Sequence, residues 1–173
     1  MNTFQEKTLE SKHFKNEDFT GKSFNGSTLI KCVFENCNIS NVSLVYTNFQ
    51  EVVFNNCKIM GIDFSKINTF LIDFTFKNSA ISLSSFSNLM LKNITFESCD
   101  IHDCDFFKTD LSKSKFHNSS LKGSRFQMAN LSFADFQTAR NYTIDPTQNT
   151  IKKIKVSFPE LIGLLDCFNI EIM

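Results

Sequence analysis

Residues Phe96 to Phe116 read FESCDIHDCDFFKTDLSKSKF, and two patterns compete for them. One is chemical. Cys99, His102, Cys104 and four aspartates fall between Cys99 and Leu111, and zinc accepts all three residue types at short spacings. The other is geometric. Phe96, Ile101, Phe106, Leu111 and Phe116 recur every five residues. That period matches neither a helix at 3.6 residues nor a strand at 2. Followed outward, it runs back to Phe14 and forward to Phe136, with one step of seven between Phe64 and Leu71. All 25 positions of the series are Phe, Leu or Ile. The chain holds 21 Phe, no Trp and two Tyr.

A second regularity sits two residues earlier. Cys32, Cys37, Val42, Thr47, Cys57, Cys99, Cys104, Thr109, Ser114, Ser119, Ala129 and Ala134 are small or modest in size. The residue between is often Asp or Asn, as in Thr47-Asn48-Phe49, Cys99-Asp100-Ile101 and Ala134-Asp135-Phe136. Over roughly residues 30–138 this resembles the pentapeptide-repeat family. The family's unit is Ala, Ser or Cys, then Asp or Asn, then Leu or Phe, then two polar residues. The resemblance implies an all-β fold, a right-handed four-sided β-helix. Each pentapeptide would form one side, with about six coils in all. The large residue and the small one two before it would point inward.

If four units make a coil, residues twenty apart stack. Allowing two extra residues near Ile67 and Asn68, one side reads Phe34, Phe54, Phe76, Phe96, Phe116, Phe136. The next reads Ile39, Ile59, Ile81, Ile101, Leu121. The third reads Leu44, Phe64, Phe86, Phe106, Phe126, and the fourth Phe49, Leu71, Leu91, Leu111, Leu131. Residue identities therefore recur at twenty as well as at five. An outward column agrees: Asn36, Asn56, Asn78, Ser98, Asn118. Asn suits corner conformations, and stacked Asn side chains can hydrogen-bond along the axis.

The same register argues against a metal site. Cys99 and Cys104 become inward fillers, a usual role for buried Cys. Asp100, His102, Asp103, Asp105 and Asp110 spread around the outside, too far apart to converge on an ion at ~2.0–2.3 Å. No Gly-rich phosphate loop, His-Glu-x-x-His or Gly-x-Ser-x-Gly occurs, and His13, His102 and His117 fall on different sides or far apart. We expect no enzyme, no cofactor and no metal.

Net charge is zero, with 18 basic and 18 acidic residues, so no pull toward nucleic acid or anionic lipid is expected. No apolar leader and no membrane-spanning run are read, so a cytoplasmic location with reduced cysteines is the expectation.

The ends depart from the repeat. Lys12, Glu17 and Lys22 occupy inward small positions, so the first coil, residues 1–22, is expected to be irregular, open or covered. Residues 23–140 form the β-helix and 141–173 a strand–helix cap. Ile154, Val156 and Phe158 alternate like a strand. Ser157 and Glu160 suggest a capping box for a helix running to about Cys167. Its stripe is Leu161, Ile162, Leu164, Leu165 and Phe168. The stripe should cover the last coil, and it is also a candidate homodimer contact, as in several relatives.

A filled interior leaves function to the outside. The reading favoured is a protein-binding or scaffold module with an unidentified partner. Phe70, Ile72 and Met90, near the break, are its candidate surface. The alternative, drawn from the resemblance, is a DNA mimic that protects DNA gyrase or topoisomerase IV from quinolones. Mixed columns such as Asp63, Ser85, Asp105, Arg125 fit duplex-like charge poorly.

Overall fold

A five-residue unit can close a square coil only if the chain bends after every unit. In the computed structural model, which describes residues 4–171, it does so through left-handed backbone at the second residue after each large one. Asn16, Asn36, Asn56 and Asn78 take φ between 48° and 57° at one corner, and Gly21, Gly61 and Gly123 take 66° to 71° at the next. Asn and Gly adopt this conformation most readily. Short strands lie between corners and pair in parallel with the coil below, twenty residues away. Strand β1 (Thr8–Glu10) pairs with β3 (Thr28–Ile30), and β2 (His13–Lys15) with β4 (Val33–Glu35). The long β5 (Asn48–Asn55) turns a corner and pairs with both. On a second side β6 (Lys58–Met60), β8 (Ala80–Ser82) and β10 (Asp100–His102) stack. On the first, β7 (Ile72–Lys77), β9 (Thr95–Glu97) and β11 (Lys115–His117) continue the sheet. The result is an all-β, four-sided solenoid of about six turns between Phe14 and Phe136.

Two aromatic columns fill it. Phe34, Phe54, Phe76, Phe96 and Phe116 stack at 5.0–5.2 Å between ring centres. On the opposite side Phe64, Phe86, Phe106 and Phe126 stack at 4.6–5.1 Å. The columns meet edge to face, with Phe86 against Phe96 at 6.0 Å and 89°. Phe suits this better than Tyr or Trp, because no polar atom then needs a partner inside. The small positions have their own logic. Thr47, Thr109 and Ser114 hydroxyls each donate, at 2.9 Å, to the carbonyl of Phe24, Phe86 and Leu91 in the coil below. Cys57 and Cys104 thiols make the same bond more weakly, at 3.4 and 3.6 Å. Burial pushes Cys57 and Cys104 up to about 12 and Cys99 up to about 11. Only the thiolate attacks disulfide reagents. Cys167 is exposed and the other five cysteines are buried, so a disulfide dye at pH 8 is expected to titrate one thiol in the native protein and six after denaturation. Rapid reaction of two or more native thiols would contradict the inward register.

The two ends depart from the mid-rod pattern in different ways. The first coil is regular, not irregular: β1 and β2 pair in register, and Asp18 and Ser23 bridge to Asn38 and Ser43. Residues 1–3 lie outside the described residues. Lys12, Glu17 and Lys22 are tolerated because an end coil has a neighbour on one side only. Its inward positions open to water, and Lys12 and Glu17 are exposed. Lys22 lies over the rings of Phe19 and Phe4 at 5.0 and 5.8 Å, and Phe4 stacks on Phe24 as a plug.

At the other end no strand covers 154–158, and the expected helix is two 3-10 turns, Glu160–Leu164 and Asp166–Phe168. Coil pairing continues instead, with Asn130 bridged to Thr150 and Asp135 to Lys155. The capping-box partners are diverted. The Ser157 hydroxyl donates to the Gln137 carbonyl, and the Glu160 carboxylate accepts from the Asn141 amide at 2.9 Å. With its N-cap bond elsewhere, the segment tightens to follow the coil beneath it.

Candidate functional site

The interior offers no site. Its void is about 10 Å³, lined by Phe24, Phe34, Phe49, Phe54, Phe64 and their aliphatic neighbours, too small for more than a single water. Among the described residues no three His, Cys, Asp or Glu side chains gather where one ion could bind. In the Cys99–Leu111 stretch, Cys99 and Cys104 point inward, while His102 lies 3.6 Å from Asp100 on the surface. No helix among the described residues is long and apolar enough to cross a membrane.

At several places on the outside, charges pair coil to coil. Lys15 pairs with Glu35 at 2.9 Å, Lys77 with Glu97 at 3.2 Å, and Lys31 with Glu51 and Arg125 with Asp105 at 4.0 Å, each twenty residues apart. Exposed pairs of this kind contribute ~0–1 kcal/mol each. Their larger effect is to place a base beside an acid within these columns. The Asn corner is tied likewise, with Asn36 donating to Asn16 at 3.1 Å and Asn56 to Asn36 at 2.6 Å.

The break in the repeat is where apolar side chains reach the surface. Asp63 accepts from the Ser65 amide at 3.0 Å and starts a 3-10 turn at Phe64–Lys66. Ile67 is buried, and the Asn68 amide donates to the Thr47 carbonyl at 2.9 Å, which anchors the turn to the coil below. The Asn68 side chain then accepts from the Phe70 amide at 2.9 Å, turning the chain outward. Phe70 is 94% exposed. Leu71 was expected inside, but it is 49% exposed. A register shift places Ile72 opposite Phe49 instead, and Phe74, at the small position opposite Val52, packs edge-on against Phe49 at 5.5 Å. Of the three expected surface residues, Phe70 and Met90 (61%) are exposed, whereas Ile72 packs partly into the core. Leu71 was missed. So was Tyr46, 73% exposed, whose amide bonds to the Lys66 carbonyl within the turn.

Leu161, Ile162, Leu164 and Leu165 are half-buried against the last coil, and Phe168 is 49% exposed. The Ile144 amide donates to the Gly163 carbonyl at 2.9 Å, and Thr143 donates to Asp166 at 3.2 Å.

The coil geometry agrees with the comparisons with known proteins. The pattern of the pentapeptide repeat region matches residues 7–86, and that of the pentapeptide repeats, in eight copies, matches residues 104–140. The chain belongs to the pentapeptide-repeat proteins. Among solved pentapeptide-repeat folds, full-length QnrB1, a plasmid-mediated fluoroquinolone resistance protein, superposes with a TM-score of 0.59 at 16% identity. The match covers 98% of this chain and 93% of QnrB1. HetL, a pentapeptide-repeat protein involved in heterocyst differentiation regulation in the cyanobacterium Nostoc, gives 0.52 at 14% identity, covering 88% of this chain and 86% of HetL. At such identities the likeness concerns the fold. No curated protein matches the chain.

Proposed function

We propose that this pentapeptide-repeat protein is a non-enzymatic protein-binding or scaffold module, working through the outside of its rod. The observation that carries the reading is the pairing of a filled interior with an apolar surface at the one break in the repeat. Tyr46, Phe70, Leu71 and Met90 lie on or beside that turn, and large apolar side chains kept in water on a rigid scaffold mark protein contacts. Affinity capture tests it. A partner retained by the wild type is expected to be lost with Phe70→Asp and kept with Ser98→Asp at the opposite corner. Equal retention by both variants would remove the break from the reading.

A second contact is proposed at the C-terminal end, with another copy of the chain. Phe158 (79%), Phe168 and Ile170 (54%) stay exposed after the half-buried stripe has covered the last coil. Light scattering is expected to give ~40 kDa, twice the 19.9 kDa chain, falling to the monomer with Phe168→Asp.

The DNA-mimic alternative takes its motive from the likeness to QnrB1. It requires a continuous acidic face, and Lys15, Lys31 and Lys77, each paired with a glutamate one coil away, speak against one. A gyrase supercoiling assay with quinolone is expected to show no protection at micromolar protein.

A further inference from the structure

The zero net charge of the chain conceals a division. Residues 1–107 carry nine basic and twelve acidic residues, whereas residues 108–155 carry nine basic and three acidic, a net charge of +6. Much of that excess gathers at one corner of the last coils. Lys113, Phe133 and Lys153 occupy successive positions of one corner column, all with left-handed φ of 54° to 62°. The Lys113 amide donates to the Ser132 carbonyl and the Phe133 amide to that of Lys152, which fixes the stacking. One column further on, Lys115 and Lys155 both flank Asp135 through backbone bridges. Asp135 is shared by Lys155 and His117, each at 3.7 Å, and its side chain is only 18% exposed. Lys113, Lys115, Lys152, Lys153 and Lys155 are all exposed, and among the described residues only Lys155 has an acidic partner within 4 Å. In the columns of Lys15, Lys31, Lys77 and Arg125 the base faces an acid one coil away. Here it faces Phe133.

We propose that this corner docks an acidic segment of a partner protein, with an apolar residue of that segment against Phe133. The proposal rests on the reading of the rod as a protein-binding module and supplies the chemistry of one partner. Charge complementarity argues for it: five lysines surround one largely screened carboxylate, and desolvating them requires opposite charge. The span favours a short peptide. Lys113 and Lys153 are two coils apart, ~10 Å at sheet spacing. A longer polyanion would run onto the acidic part of the rod. Stacking of nucleic-acid bases is also hindered, because the Lys153 ammonium already lies over the Phe133 ring at 5.9 Å. Lysines on the last coil also discourage edge pairing. That role does not call for Lys113 and Lys115, which lie two coils lower.

The test is fluorescence anisotropy with a labelled synthetic peptide of glutamates and aspartates around a central leucine pair. The same peptide with Gln and Asn is the control, and a single-stranded oligothymidine is the third probe. Saturable binding of the acidic peptide is expected, weakening as salt rises from low to high ionic strength. Lys113→Glu with Lys153→Glu should reduce affinity by at least about tenfold, whereas Lys122→Glu with Arg140→Glu, an equal charge change on another side, should reduce it far less. Both corner variants should keep the wild-type melting temperature, since Glu6 and Glu51 already occupy left-handed corner positions. Phe133→Ala should weaken the acidic peptide but leave its salt dependence intact. No saturable peptide binding, or equal loss in the two charge-reversal pairs, would overturn the proposal. Tighter binding of the oligothymidine would replace it with a nucleic-acid contact. Failure of the peptide alongside partner capture that still depends on Phe70 would remove this corner and leave the module standing. Loss of that capture would remove the module itself.

Discussion

Phe96→Ala is expected to destabilise the protein by ~3–5 kcal/mol, the range for deleting a buried ring that its neighbours cannot replace. Phe96 is fully buried, stacked on Phe76 at 5.2 Å and under Phe116 at 5.0 Å, with Phe86 and Phe106 against its edges. Collapse is hindered because each neighbour belongs to a coil whose height is set by backbone hydrogen bonds. The cavity should therefore persist. Asp100→Ala, four residues on but facing water, should cost under ~0.5 kcal/mol. Urea titration of both variants checks the inward register. Equal costs would mean that register is wrong.

The second large effect concerns the C-terminal end. A Cβ added at Gly163 would lie 2.0 Å from the Tyr142 carbonyl oxygen, so Gly163→Ala must push the 3-10 turns off the coil beneath. That movement breaks the Ile144–Gly163 hydrogen bond and uncovers Tyr142 and Ile144, both nearly fully buried. A loss of ~1–3 kcal/mol is expected, with a folded rod remaining. Deleting residues 157–173 goes further and leaves an apolar coil open to another chain. Size-exclusion chromatography should show polydisperse assemblies for the deletion and a single peak for Gly163→Ala. A monodisperse, stable deletion variant would show that the last coil needs no cover.

The solenoid was legible because its signal is both local and repeated. A five-residue step fits no other common element, and recurrence of Phe and Ile at twenty reports which side faces which. The misreadings arose where neighbours decide. Leu71 gives its place opposite Phe49 to Ile72 through a one-residue shift of register, and residue counting alone does not show where in the break that shift falls. Lys12 and Glu17 mark a first coil that is irregular, open or covered, and only the structure shows which: an end coil leaves its inward positions open to water. At the C-terminus the apolar spacing of Leu161, Leu164, Leu165 and Phe168 is compatible with an α-helix. The cap bonds it needed are held by Gln137 and Asn141. Of the candidate surface, Phe70 and Met90 could be read from the break and the outward register. The lysine corner was hidden by a whole-chain charge of zero, and charge counted column by column would have shown it.

The central claim is that the rod acts by presenting its broken corner to a protein. The most direct measurement places a photo-crosslinking phenylalanine analogue at position 70 and, separately, at position 98 on the opposite corner, with irradiation in the cells that make the protein. Both sites are exposed, and aromatic side chains already occupy left-handed corners at Tyr46 and Phe133. The account predicts a discrete adduct of this chain with another protein from position 70 and none from position 98. Adducts of equal yield from both positions, or from neither, would contradict it.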